Sequence, residues 1–491
     1  MKQYEWDRLY IDGAWRPPHE PTQADVIGPA TERVIGRVPV ATAKDAEDAV
    51  LAARVAFEEG PWPRLTYRER AEVLLKMSGI MVKRRDELAG IDSVEVGRTR
   101  AATTSFVDVP IERWIDLMER VVPGFEFVEP MLPNIVGSLV GQGVVHREPF
   151  GVVSAISPFN APWMLSLFKL GPAMVAGCTT VLMPSPLAPL SAFVLAEIAD
   201  EAGLPAGVLN LVTGSPEVGE VITTHEAVDL VSFTGSDATG RRIMAQAAPT
   251  LKKVVLELGG KSANIVLEDA DLDRVATDVL RNFTANCGQG CGMLTRTLVH
   301  RSLHDELVER VTALASGVKI GDPATDPTVT VGPIISAGQR ERVESMIARG
   351  VEEGARIAVG GKRPEGLDTG YFLEPTVMVD VENSMSVAQD EFFGPVMVVI
   401  PFDDDEEAIK IANDSRYGLA GGVWSRDVSR AYSVAQRIRT GSVAVNGGGG
   451  RVTPHGPFGG YKHSGLGREW GRWGLEEYLQ HKTITWPVAA G

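Results

Sequence analysis

From Gly151 onward, short apolar runs alternate with helical segments, and this alternation restricts the fold more than any other feature of the chain. Mostly apolar runs at 152–156, 179–183, 208–212 and 230–234 lack the polar-out alternation of a half-exposed strand, so they read as strands buried on both faces. Candidate helices lie between them at about 163–175, 189–202 and 216–223. Strands joined by helices of that length make a parallel sheet with right-handed crossovers, a doubly wound α/β domain. The pattern resumes between about 258 and 445, with helices expected at 271–285, 304–316 and 336–353, and reads as a second α/β unit. Upstream, Thr42 with Asp45 and Thr66 with Glu69 form capping boxes ahead of amphipathic runs, so the chain is expected to open with helices. Residues 137–147, with Val140, Val144 and Val145, read as an extended arm, and 482–488 as a further strand.

At 491 residues the chain is too long for one small domain. Its formal net charge of −16 repels phosphate backbones and anionic bilayers, so neither nucleic acid nor membrane is an expected partner. Three cysteines are too few for a disulfide framework and suit a reducing cytoplasm. The first ten residues mix charges with aromatics and carry no apolar stretch of signal-peptide length. The most apolar stretch, 151–183, is interrupted by Pro158, Asn160, Pro162, Lys169 and Pro172, which suits a buried core rather than a bilayer span.

Four segments carry residue types with chemical use. In Phe283-Thr-Ala-Asn-Cys-Gly-Gln-Gly-Cys-Gly a helical run stops in glycines that bear Cys287 and Cys291. A cysteine on such a turn can be reached by a substrate and act as nucleophile, although a free cysteine is more often a small core residue. Metal binding is not expected, because the C-x3-C pair has no second pair and no histidine nearer than His300. In Leu256-Glu-Leu-Gly-Gly-Lys-Ser, Glu257 ends an apolar strand, where it is either a general base of raised pKa or an edge carboxylate facing water. Asn160, in Ser157-Pro-Phe-Asn-Ala-Pro, is either an oxyanion donor or a turn residue. In Ser232-Phe-Thr-Gly-Ser-Asp-Ala-Thr-Gly a strand ends in a glycine turn before a helix, which presents N–H groups to a phosphate.

Together these segments resemble the aldehyde dehydrogenase superfamily along essentially the whole chain. Glu257 and Cys291 stand thirty-four positions apart, as that family's base and nucleophile do, and Asn160 matches its oxyanion asparagine. Glu391-Phe-Phe-Gly-Pro-Val, Tyr417-Gly-Leu-Ala and Pro457-Phe-Gly-Gly-Tyr-Lys-His-Ser-Gly-Leu-Gly-Arg-Glu are also similar to family motifs. The resemblance implies a cofactor domain at 1–125 and 149–256, a catalytic domain at 257–448, and oligomerisation elements at 126–148 and 470–491 of a homodimer or homotetramer. It implies oxidation of a small-molecule aldehyde through a thioester on Cys291, hydrolysed by water that Glu257 activates. Lys169 and Glu469 match positions that relay the proton, although an ion pair at the surface reads the same. Contacts to NAD, or NADP, are implied for Ile156, Pro158, Ser185, Gly214, Phe233, Gly235, Ser236, Leu258, Glu391 and Phe393.

The chain departs from the family in three places. Met183-Pro-Ser-Pro186 stands where relatives have K-P-S-E, so both usual ribose contacts are missing and no cation is present for a 2′-phosphate; NAD is the expected cofactor. Ala161 replaces a bulky aromatic, and with Trp163, Met164 and Phe168 it implies a roomy apolar pocket for an aromatic or long-chain aldehyde. A loop at 447–450 is expected to move at its mouth. Cys287 replaces a glutamine, which allows an oxidised pair with Cys291. The alternatives are transfer of the acyl group to coenzyme A, which Glu257 disfavours, and a catalytically silent relative.

Overall fold

The computed structural model describes residues 3–136, 139–448 and 455–488. Among these, five parallel strands form the heart of an eight-stranded sheet, in the order Lys253–Glu257, Leu230–Thr234, Val152–Ser157, Thr179–Pro184 and Leu209–Leu211. Helices Pro162–Ala176, Leu190–Glu201 and Pro216–Thr224 supply the crossovers. The apolar stretch expected to be core is therefore a strand, a buried helix and a second strand, and no described helix is long and apolar enough to cross a membrane. A second, seven-stranded sheet carries Ala263–Val266, Arg296–His300, Val396–Phe402 and Ala420–Trp424 at its centre, all parallel. Each sheet has its own apolar core.

The chain does not open with helices. Five short strands between Tyr4 and Pro39 precede the first helix, Ala43–Glu58. Leu9–Ile11 adds antiparallel to the outer edge of the first sheet, and Ala14–Arg16 adds to it in turn. These two strands of three residues each show no readable period, and they become strands only because an edge is there to pair with. Both capping boxes form: the Thr42 and Thr66 hydroxyls accept from the Asp45 and Glu69 N–H groups at 3.2 Å. The arm is a long strand, Leu139–Pro149, paired antiparallel with Leu479–Val488, so the C-terminal strand starts three residues earlier than expected. Gly137 and Ser138 of that expected arm, and Gly449 and Gly450 of the expected mouth loop with the four residues after them, lie outside the described residues.

Candidate active site

Parallel strands end on one side of the sheet, and a cleft forms where their C-terminal ends meet the second unit. Its walls of about 240 Å³ include Pro158, Asn160, Gly235, Ser236, Glu257, Cys291, Glu391 and Phe393. Eight expected site residues thus come together there, from segments far apart in the chain.

The nucleophile loop is held by left-handed backbone. After helix Leu272–Thr284, Asn286, Cys287 and Gly288 all have positive φ (49°, 52° and 70°). Two of the three bear a Cβ, and such residues carry roughly 1–2 kcal/mol of strain each. A hydrogen-bond network holds the turn: Asn286 Nδ2 donates to the Asn160 carbonyl at 3.0 Å and to the Gln289 carbonyl at 2.9 Å. Asn160 Nδ2 donates to that same Gln289 carbonyl at 3.1 Å. An amide has two N–H donors, so Asn160 keeps one for another acceptor. Arg98 Nη2 donates to the Asn160 carbonyl at 2.7 Å while its Nε pairs with Asp92, both side chains buried. Close backbone approaches seat the loop: a Cβ on Gly288 would meet the Gly394 carbonyl at 2.0 Å, and one on Gly260 the Cys291 carbonyl at 2.6 Å.

Cys287 and Cys291 part company here. Cys287 is 2% exposed and packs in the second unit's apolar core, whereas Cys291 opens on the cleft. Burial pushes the Cys291 thiol up to about 12, and the nearby Glu391 and Glu257 carboxylates add to this. Glu257 does not face water. It is 1% exposed, and neither carboxylate oxygen has a hydrogen-bond partner among the described residues. Burial first, then the charge of Glu469, hold its carboxyl well above the usual range, against the opposing pull of Lys169. Gly459 makes room for it, since a Cβ there would meet Glu257 Oε1 at 2.7 Å.

Lys169 and Glu469 are not a surface pair. Lys169 Nζ donates to Glu469 Oε1 at 2.8 Å and to Ser232 Oγ at 3.3 Å, with side chains 0% and 2% exposed. Glu391 Oε1 accepts from the Gly260 N–H at 3.0 Å, and burial pushes its carboxyl up to about 7. Gln339 and Arg342, on helix Ala337–Glu352, donate to the carbonyls of Glu391, Phe392 and Phe393 and so hold that loop.

The remaining expected residues support the cleft without lining it. Ile156 stands level with Met183 and Phe233 across three strands. Phe233 lies under Gly235, Leu258 packs against Gly240, and Gly214 fits closely over Val218. Ser185 closes the turn after its strand, accepting from the Leu187 N–H at 3.3 Å. Trp163 does not belong to the pocket: it sits in the first unit's core, while Ala161, Leu165 and Phe168 share the opposite face with Trp470. Residues three and four apart share a helix face, so 161, 165 and 168 point together and 163 points away. Arg98, Asn286, Gln339 and Arg342 escaped the sequence reading, because each acts through a contact far along the chain. Among the described residues, no three His, Cys, Asp or Glu side chains group as a metal site would require.

The chain matches the model of the aldehyde dehydrogenase family over residues 15–484. It is 42% identical to a 3-succinoylsemialdehyde-pyridine dehydrogenase of a Pseudomonas species, over 99% of both proteins. It is 40% identical to a chloroplastic betaine aldehyde dehydrogenase of Atriplex hortensis, over 97% of this chain and 96% of that one. A crystal structure of a Mycobacterium tuberculosis aldehyde dehydrogenase complexed with NAD+ superposes with a TM-score of 0.92 at 43% identity, covering 98% of each chain.

Proposed function

The chain belongs to the aldehyde dehydrogenase family, and on that premise we propose that it oxidises an aldehyde to the free carboxylic acid at Cys291, with NAD as cofactor. The observation that carries this reading is the shared cleft of Cys291, Glu257 and Asn160. A dinucleotide fits the residues beside it. Gly235 and Ser236 open helix Asp237–Ala247, whose first N–H groups suit a phosphate, and Glu391 keeps an oxygen for a ribose hydroxyl. Bound NAD would supply the hydride acceptor.

Cys291 Sγ, as thiolate, attacks the carbonyl carbon. The oxygen that gains charge takes the free N–H of Asn160 and the backbone N–H of Cys291. After hydride loss the carbon is a thioester, and Glu257 takes a proton from the water that attacks it. The C–S bond then breaks, releasing the acid and the thiolate. A raised carboxyl is a stronger base once ionised, which suits Glu257 to this role. The Lys169–Glu469 pair, coupled to Glu257 by charge, carries its proton onward.

The substrate side is aromatic. Phe458 stacks on Trp470 at 4.6 Å, Phe168 meets Trp470 edge-on at 5.2 Å, and Ala161 packs in the same apolar cluster as Phe168. This favours an apolar, aromatic or long-chain aldehyde. The betaine aldehyde relative supports a second reading, a cationic aldehyde held over the same rings. We assign 1–125 with 149–256 to the cofactor domain, 257–448 to the catalytic domain, and 126–148 with 470–491 to oligomer contacts. NADH and free acid formed by the purified protein, lost in Cys291→Ala, is the expected result. Acyl-CoA formed faster than acid would replace this reading with the transferase one.

A further inference from the structure

We infer that Arg113 selects the substrate, receiving a carboxylate at the end of the aldehyde opposite its carbonyl. This rests on the oxidation reading above and adds the charge of the distal end.

Arg113 lies on helix Val109–Asp116 and lines an apolar cavity with Phe168, Leu167, Trp114 and Trp470. Its guanidinium sits 4.3 Å from the Trp470 ring centroid and 5.4 Å from that of Phe168. Stacked on two rings, it is held in place, yet no hydrogen-bond acceptor or ion-pair partner stands against it among the described residues. Its Nε is buried without a hydrogen-bond partner among the described residues. Asp116, the acidic residue of the same cavity, turns instead to Arg120 at 3.3 Å and to His455 at 3.5 Å. The residues outside the description include no Asp or Glu side chain that could pair with Arg113. A second donor is orphaned beside it: Trp470 Nε1 is also buried and without a partner among the described residues. Burial draws the guanidinium down only to about 10, so it stays cationic at neutral pH.

The cavity is joined to the nucleophile through aromatic contacts. Phe458 lies against Gly292, next to Cys291, and stacks on Trp470, which carries Arg113 on its ring. An aldehyde with its carbonyl at Cys291 and its chain along Phe458 and Trp470 would reach these two donors. Buried donors without acceptors are costly and are satisfied by a ligand that supplies acceptors. A carboxylate matches the planar fork of Arg and can also take the indole N–H. An ammonium end meets a fixed like charge there, and Asp116, the carboxylate lining that cavity, is already paired with Arg120 and His455.

The test compares ω-oxocarboxylates, n-alkanals and trimethylammonio-alkanals of graded length. The wild type should favour the carboxylate series over the ammonium series by about ten- to hundred-fold in kcat/KM. Arg113→Met should erase that preference mainly through KM, leaving the alkanals nearly unchanged, and Arg113→Glu should reverse it. A wild-type preference for ammonium aldehydes would overturn the inference, as would an equal loss on alkanals and oxocarboxylates in Arg113→Met. If no aldehyde of any series is oxidised, it is the oxidation reading that fails. Calorimetric titration with glutarate then still decides on Arg113: binding weakened in a folded Arg113→Met supports the inference, and unchanged binding overturns it.

Discussion

Cys287 and Cys291 stand four positions apart, yet one is packed in the core and the other faces the cleft. Cys291→Ala should abolish turnover while cofactor binding and fold persist, as fluorescence titration and circular dichroism would show. Cys287→Ser should keep substantial activity but lower stability by about 1–3 kcal/mol, because a hydroxyl replaces sulfur among apolar neighbours; denaturant unfolding measures this. Glu257→Gln should give a burst of NADH followed by very slow turnover. The same change should raise Tm at neutral pH. The native Glu257 carboxyl titrates above its ordinary value near 4.5, so below that pH neither folded nor unfolded state is charged and no penalty exists. As pH rises past it the unfolded chain loses its proton first, and the native state is progressively destabilised. The Tm gain of Glu257→Gln should therefore be small at about pH 4.5 and grow toward pH 8; a gain confined to acid pH would contradict the assignment. Met183 packs in the core beneath helix Pro216–Thr224 and offers the adenosine ribose no polar atom beyond a thioether. Met183→Lys with Pro186→Glu should lower KM for NAD, and the wild type should show a higher kcat/KM with NAD than with NADP.

Helix Pro162–Ala176 brings Lys169 through the core to Glu469 of the C-terminal segment, an ion pair between elements 300 positions apart. Removing one partner strands a charge in a dry site beside Glu257. Lys169→Met should cost about 3–5 kcal/mol, and adding Glu469→Gln should recover a good part of it. If the pair also relays the proton, the double variant should keep the NADH burst and lose steady-state rate. Elements were legible where their apolar pattern is strong: the strand at Leu230–Thr234, buried throughout, and helix His304–Ser316, with its stripe of Leu307, Val311 and Ala315, end where their patterns do. The strands before Pro39 were not, because a run of two to seven residues takes its conformation from the strand it pairs with, whether at the first sheet's edge or in the separate sheet of Tyr4–Glu5, Arg33–Pro39 and Gln23–Gly28.

Over the whole molecule, the sheet of Leu139–Pro149 and Leu479–Val488 with its short neighbours docks on the first core through Leu479 and shows unusual apolar exposure beyond it. Leu132 is 91% exposed and Ile135 69%, with Trp486 also open. Such a patch is suited to burial against another copy of the chain. Leu132→Glu with Ile135→Glu should shift sedimentation toward a smaller species; an unchanged oligomer would place its interface elsewhere. The parallel architecture, the strand-end position of Glu257 and Asn160, and the glycine turn bearing Cys291 are written in local order, because period, capping and turn chemistry act between near neighbours. Tertiary structure alone decided which cysteine faces the cleft, that Lys169 and Glu469 meet in the dark of the core, that Trp163 turns away while Phe168 turns in, and that Arg113 lies over Trp470. Those outcomes depend on which side chains meet through space, and packing sets such contacts only after distant segments have closed around one another.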